Sequence, residues 1–159
     1  MIAVKVITVG GLKESYLREA VAEYEKRLGA LCRFSLVELK EERLPEDPSE
    51  REIAQALEKE AVRIREKIPQ KAYAIAMCVE GKQLASEELA ASFERIAMES
   101  DEICLVIGSS YGLAESLKRD CRMRLSVSKL TFPHQLMRVI LMEAVYRAFQ
   151  IQKGTKYHK

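Results

Sequence analysis

The sequence predicts one α/β domain over residues 1–159, with an open, mainly parallel sheet and helices on both faces. Apolar runs of strand length alternate along the chain with segments whose apolar residues recur at helical spacing. Two of the strand-like runs, 72–79 and 102–107, are apolar at nearly every position, which is typical of strands covered on both faces. The length suits a single hydrophobic core.

The first half of the chain predicts a strand, a helix, a second strand and a second helix. Residues 2–9 and 31–39 are the strands. The charged segment 40–48, which joins the second strand to the second helix, contains two prolines. Ser49 and Glu52 form a capping box, so the second helix begins there. The apolar residues of the first helix are Leu17, Val21, Tyr24 and Leu28.

The second half continues the alternation. Residues 72–79 predict the third strand, and a helix starts near Ser86. Residues 102–107 and 122–127 predict the fourth and fifth strands, joined by a turn. The last helix, 135–150, is apolar around almost its whole circumference, whereas a surface helix normally has one apolar stripe. This helix therefore needs packing partners on more than one side.

Charge is divided unevenly along the chain. From Lys118 to Lys159 there are ten Lys and Arg residues against two Asp and Glu residues, a net charge of +8, whereas the preceding 117 residues carry −6. Such an asymmetry indicates either a nucleic-acid partner or a solvated basic surface.

Targeting and metal signals are missing from the sequence. No apolar run reaches the roughly 20 residues that span a bilayer, and the first residues lack the pattern of a signal peptide, so we expect a cytoplasmic protein without a membrane partner. The four cysteines are dispersed and there are two histidines, so we expect reduced thiols and no metal.

Glycines follow several predicted strands, at the sheet edge where open α/β proteins bind ligands. Gly10 and Gly11 follow the first strand, Gly81 follows the third, and Gly108 and Gly112 follow the fourth. The patterns of a P-loop, of a dinucleotide-binding turn and of a serine nucleophile elbow are all absent. These glycine turns predict a ligand cleft of another kind.

The segment before the last helix is a second candidate for ligand binding. Residues 127–132 offer a run of main-chain groups that suits a flat, uncharged ring such as adenine. Thr131 is placed to cap the helix by accepting from the amide of His134. His134 itself is either an exposed residue of the first helical turn or a catalytic group.

Five stretches of this chain together resemble one enzyme family. They are ITVGGLKESYLREAVAEYEKRL, EGKQLASEE, LVIGSSYGL, SVSKLTFPHQLMRVILMEAVYRAFQI and the terminal YHK. The sequence is similar to the bacterial methyltransferases that modify N3 of a pseudouridine in large-subunit ribosomal RNA, a family of the SPOUT superfamily. The likeness extends from the first strand to the last residue.

The resemblance implies S-adenosylmethionine as methyl donor, a C-terminal trefoil knot and a homodimer formed through the last helix. General topology rules would disfavour such a knot. The family often has a second glycine where this chain has Ser109 and a larger aliphatic residue where it has Ala76. The positions that match the family's donor site are Ala76, Gly108, Val127, Ser128, Lys129, Leu130, Thr131 and Phe132.

The resemblance also implies the substrate, which is a pseudouridine of 23S ribosomal RNA in assembled ribosomes. The N3 proton of that base has to leave, and His158, Tyr157 and Arg138 are our candidates to assist it. Two other classes of function remain open from the residues alone. A ribosome-binding factor without catalysis would bind RNA but not the donor, and a nucleotide-using metabolic enzyme would not bind RNA.

Overall fold

Five parallel strands form one sheet in the order β2-β1-β4-β3-β5. The computed structural model describes all residues from Met1 to Lys159. The strands are β1 (Ala3–Val9), β2 (Arg33–Leu39), β3 (Tyr73–Gln83), β4 (Glu102–Ile107) and β5 (Met123–Ser126). The helices are α1 (Ser15–Gly29), α2 (Glu50–Lys67), α3 (Ser86–Ala97), α4 (Glu115–Asp120) and α5 (His134–Gln152).

Helices cover both faces of this sheet, as the sequence predicts. Helices α1, α3 and α5 share one core cluster with the strands, whereas α2 and α4 belong to a second cluster on the opposite face. Strand β4 shows the division clearly, because Leu105 and Ile107 belong to the first cluster and Cys104 and Val106 to the second. A strand buried on both faces has no polar side to alternate with, which explains its unbroken apolar sequence.

The last helix has partners on two sides within its own chain. Helix α5 packs on the sheet and against both α1 and α3. Tyr146 meets Tyr24 of α1 edge to face, and Phe149 meets Phe93 of α3 with their ring centroids 5.9 Å apart. The two neighbouring helices therefore account for much of the apolar circumference of α5. The remaining outward stripe contains Leu136 and Ile140.

The structure differs from the sequence prediction at three places in the second half. Helix α4 was not expected, because six residues are too few to show a helical period. Thr131 was expected to cap α5 and does not, because the N-cap is Pro133 and no side chain caps that end. Gly81 was expected to end the third strand, but β3 continues to Gln83.

Gly81 permits a close approach of two strands. It lies where the pairing of β3 with β5 shifts register between Met77 and Lys82. A Cβ atom at this position would be 2.6 Å from the carbonyl carbon of Leu125, so any side chain would push β5 away. The glycine therefore serves the packing of β5 rather than a turn.

Two further properties concern the whole chain. No helix is both long and apolar enough to cross a membrane. The trefoil knot implied by the resemblance stays a prediction, because the order of strands in a sheet does not say which segment passes through which loop.

Candidate functional site

A cavity of about 660 Å³ opens beside β3, β4 and β5 near the carboxyl end of the sheet. Three segments form most of its wall, namely residues 77–80 of β3, residues 107–113 after β4, and the stretch from Leu125 to His134 that leads into α5. Half of its 22 lining residues are hydrophobic. This size and this mixture of apolar and polar groups suit a small organic ligand.

Six of the eight predicted donor-site residues line the cavity. They are Gly108, Val127, Ser128, Leu130, Thr131 and Phe132. Ala76 is fully buried one residue before the wall begins, where it packs in the core cluster of α2 and α4. Lys129 is exposed and is not part of the cavity wall. The cavity therefore combines the two loops that the sequence analysis identified separately.

The segment from Val127 to Phe132 leaves main-chain groups without partners inside the chain. The hydroxyl of Ser126 donates to the carbonyl of Ser128, and the amide of Leu130 donates to the Ser128 hydroxyl. The main-chain groups of Val127, Lys129, Thr131 and Phe132 make no intrachain hydrogen bond. Such groups normally pair with something, so a polar ring edge or water is their expected partner.

The loop after β4 turns back on itself directly beside Gly108. The amide of Gly112 donates to the carbonyl of Ser109 at 2.8 Å, which closes the turn. A Cβ atom on Gly108 would collide with the carbonyl group of Gly112 and would lie 3.0 Å from a methyl of Leu113. We expected this glycine to leave space for a ligand, but the loop itself occupies that space.

Opposite charges meet on the wall of the cavity. The ammonium of Lys118 donates to a carboxylate oxygen of Glu80 at 2.6 Å and holds the pKa of that carboxyl below its usual range. Cys78 lies beside them, where burial raises the pKa of its thiol. The thiol therefore stays protonated, and the site contains no activated cysteine nucleophile. No group of three or more His, Cys, Asp or Glu side chains is placed to hold a metal ion.

Comparison with known proteins identifies the family. A family model described as "Predicted SPOUT methyltransferase" matches residues 2–158. The chain belongs to this SPOUT methyltransferase family.

Curated relatives match over nearly their whole length. Proteins named "Ribosomal RNA large subunit methyltransferase H" from Streptococcus equi subsp. zooepidemicus, Leuconostoc mesenteroides subsp. mesenteroides and Streptococcus thermophilus are each 46% identical over 157 residues. The alignment covers 98% of this chain and 99% of each relative. A solved "probable methylase family protein" from Haemophilus influenzae Rd KW20 has the same fold, with a TM-score of 0.58 at 15% identity, covering 98% of this chain and 70% of that one.

Arg138 of this SPOUT methyltransferase lies away from the cavity wall. Its side chain is 1% exposed, donates to the carbonyl of Gly10 at 2.9 Å and forms a salt bridge with Glu38. Its Nε has no partner. These contacts tie the start of α5 to the carboxyl ends of β1 and β2, and they leave no terminal nitrogen of Arg138 facing the cavity.

Tyr157 and His158 also lie outside the cavity of their own chain. The tail that contains them folds back on α5, where Tyr157 donates to Glu143 at 2.7 Å. The ring nitrogens of His158 contact Arg147 at 3.2 Å and Glu87 at 2.6 Å. The structure thus separates all three predicted catalytic residues from the six predicted donor-site residues that line the cavity.

Half of the C-terminal cations are already paired. Lys118, Arg122, Arg124, Arg138 and Arg147 each form a salt bridge with an acidic residue. The other five form none and are exposed: Arg119, Lys129, Lys153, Lys156 and Lys159. The charge available for a polyanion therefore lies mainly in the loop before α5 and in the tail.

Several residues of the site were missed by the sequence analysis. Cys78, Glu80 and Lys118 line the cavity, and exposed Tyr111 stands at its edge. The rule that ligands bind beyond strand ends points to the residues after the third predicted strand, 72–79, a region that includes Glu80 but not Cys78. Lys118 belongs to the unexpected α4, and the sequence indicated it only as the first residue of the basic segment.

Proposed function

We propose that this SPOUT methyltransferase uses S-adenosylmethionine to methylate N3 of a pseudouridine in 23S ribosomal RNA, acting on assembled ribosomes in the cytoplasm. The relatives that share 46% of their residues with it over 98% of its length bear the name of a large-subunit ribosomal RNA methyltransferase. The observation in the structure that supports a donor site is the cavity, where the unpaired main chain of Val127–Phe132 meets the Gly108 loop.

The cavity fits the methyl donor in size and in chemistry. The free main-chain groups of Val127–Phe132 would receive the edge of the adenine ring, and the apolar wall would contact its faces. The Glu80–Lys118 pair offers partners of both signs for the ammonium and carboxylate of the donor's amino-acid end. When bound, the donor supplies a methyl group on a sulfonium, so the protein has mainly to align the reacting atoms and exclude water.

The tail residues have distinct roles in this proposal. Burial and the hydrogen bond to Glu143 raise the pKa of Tyr157, so its hydroxyl donates and does not act as a base. A guanidinium has only donors, so Nδ1 of His158 accepts from Arg147 and Nε2–H donates to Glu87. With this arrangement of donors, Nδ1 of His158 could accept the N3 proton after it is released from Arg147. Arg138 would position α5 rather than react.

A homodimer would explain why the tail lies outside its own cavity. The outward stripe of α5 carries Leu136 and Ile140, and Leu136 is 38% exposed. Apolar stripes of this kind pair in obligate homodimers. Pairing through α5 would bring each tail close to the cavity of the partner, and the exposed cations of the tail would contact RNA phosphates.

Two measurements test this function. Isothermal titration calorimetry should detect S-adenosylmethionine binding, and Gly108→Ala should weaken it. Labelled S-adenosylmethionine, incubated with ribosomes that lack the modification, should place the label on N3 of one pseudouridine of 23S RNA. Free 23S RNA is the control for the requirement of an assembled ribosome. A label on another base, or none on ribosomes, would contradict the proposal.

A further inference from the structure

One carboxylate of α5 collects three hydrogen bonds from three parts of the chain. Oε2 of Glu143 accepts from the hydroxyl of Tyr24 at 2.8 Å and from that of Tyr157 at 2.7 Å. Its Oε1 accepts from Arg147 at 2.7 Å. Tyr24 belongs to α1 and Tyr157 to the C-terminal tail, so this side chain connects two helices and the tail.

The hydrogen-bond network extends from Glu143 through Arg147 to the imidazole of His158 in the tail. Arg147 holds Glu143 through Nε and contacts Nδ1 of His158 through a terminal nitrogen at 3.2 Å. The other ring nitrogen of His158 lies 2.6 Å from Glu87 at the start of α3. Both nitrogens of the imidazole are therefore fixed by groups that α3 and α5 position.

Aromatic packing supports the same arrangement. The rings of Tyr146 and Tyr157 meet edge to face with their centroids 5.0 Å apart, and the guanidinium of Arg147 lies 4.7 Å from the centre of the Tyr157 ring. The tail residues Tyr157 and His158 are half-buried, although Lys153 to Lys156 before them are exposed. These contacts hold Tyr157 and His158 against α5 and the start of α3.

The electrostatics of Glu143 agree with the geometry. Burial raises the pKa of its carboxyl, but the hydrogen bonds from Tyr157, Tyr24 and Arg147 together lower it by more. The pKa of Glu143 therefore lies below its usual value. The group is thus a carboxylate at neutral pH and presents only acceptors. Hydrogen bonds to a charged acceptor are shorter and stronger than neutral ones, so this carboxylate suits the role of an anchor.

The geometry points to Glu143 as the positioning residue of the reaction: it holds Tyr157 directly and His158 through Arg147, so that the tail is pre-ordered for catalysis. The inference rests on the proposed function, since it assigns Glu143 to the same methyl transfer. Pre-ordering removes the entropy cost of fixing a mobile tail at each turnover. Glu143 acts through other residues and does not touch the reacting atoms.

Hydrogen exchange of full-length variants tests the anchor independently of activity. Glu143→Gln should increase amide exchange in residues 155–159, because a neutral amide replaces the charged acceptor. Tyr157→Phe should do the same, since it removes the tail's own bond. Tyr24→Phe is the matched control: it removes a hydroxyl from the same oxygen, but the bond from Tyr157 remains and the tail should stay protected. Unchanged tail exchange in Glu143→Gln would overturn the inference.

Kinetics then distinguish positioning from a structural role. Glu143→Gln should lower kcat by roughly tenfold to a hundredfold, while the affinity for S-adenosylmethionine and the sedimentation of the dimer stay unchanged. Adding Tyr157→Phe to Glu143→Gln should cause little further loss, because both act through one contact. Losses that multiply in the double variant, or a Glu143→Gln variant whose kcat is undiminished, would overturn the inference. Absence of methyl transfer by the unmodified protein would instead contradict the proposed function.

Discussion

At the scale of single residues, Gly108 lies at the cavity as predicted, but the reason that glycine is needed there differs from the predicted one. From the sequence, this glycine was expected to let a ligand approach the main chain. In the structure the missing side chain makes room for the carbonyl of Gly112 in the same loop. The loop can therefore close beside the cavity only with glycine at this position.

Gly108→Ala should weaken binding of S-adenosylmethionine by about tenfold or more, which corresponds to ~1.4 kcal/mol. The added Cβ displaces the Gly112 carbonyl and opens the loop. The measurement is calorimetric titration of the folded variant. Gly29→Ala is the matched control, because a Cβ there has no atom within 4 Å and should leave both affinity and fold intact. If Gly108→Ala binds S-adenosylmethionine as tightly as the unmodified protein does, the loop is not part of the donor site.

Glu60 is a buried acid whose ionisation opposes folding. It is 4% exposed, one carboxylate oxygen accepts from the amide of Glu42 at 2.8 Å, and the other has no hydrogen-bond partner. Burial raises its pKa more than the hydrogen bond from the amide of Glu42 lowers it. The folded chain therefore favours the protonated form, and stability falls as pH rises from the ordinary value of 4.5 through the folded pKa.

Glu60→Gln should raise Tm by a few degrees at a pH of about 8, because the amide carries no buried charge. The gain should shrink as pH falls and vanish below 4.5, where the carboxyl is protonated in both the folded and the unfolded chain. Thermal unfolding followed across this pH range provides the measurement. If the unmodified protein is the more stable one at high pH, Glu60 is a paired and stabilising carboxylate.

At the scale of elements, α5 has two apolar surfaces with different partners. Leu141, Met142 and Val145 are fully buried in the core beneath the helix. Ile140 lies on the outward stripe and is only half-buried. Adjacent residues of one helix thus separate the packing of the domain from the proposed contact between subunits.

Ile140→Glu should dissociate the proposed dimer while the monomer stays folded, since the charge would meet a second apolar stripe. Leu141→Ala should instead lower the free energy of unfolding by about 2–5 kcal/mol and leave the association of folded chains unchanged. Sedimentation velocity and chemical denaturation measure the two effects. A dimeric Ile140→Glu variant would exclude this stripe from the interface.

At the scale of the whole molecule, only half of the ten C-terminal cations are free of salt bridges and available to a polyanion. Salt bridges neutralise Lys118, Arg122 and Arg124 locally, so their charges contribute little to a distant field. The unpaired cations concentrate in the tail that also contains Tyr157 and His158. The tail therefore combines the groups that would attract RNA with those that would contact a base.

Replacing Lys153, Lys156 and Lys159 by Gln should weaken RNA binding and flatten the dependence of log K on log salt by about 2 to 3, because each phosphate contact releases counterions. The control is the triple replacement of Lys5, Lys59 and Arg63, which removes the same charge from residues already paired with acids. If log K for RNA binding depends on log salt with the same slope in both variants, the net charge of the protein, and not the position of the tail cations, governs RNA binding.

The sequence by itself determined the order of the elements, the two loops of the cavity and the family. These follow from local patterns: apolar runs, helical spacing, and motifs such as LVIGSSYGL and LTFPHQ that are contiguous in the chain. The missed α4 marks the limit of this approach, because one turn and a half of helix has no period to detect.

The tertiary structure alone decided what the polar residues of the site do. Glu143 meets Tyr24 across 119 positions of sequence, and Arg138 meets Gly10 across 128. Gly81 faces Leu125 because β5 pairs with β3 at the edge of the sheet. It does not pair with β4, the strand that precedes it in sequence. Contacts of this length depend on how the sheet orders its strands. No local propensity encodes them, so the anchor of the tail and the burial of Arg138 could be seen only in the folded chain.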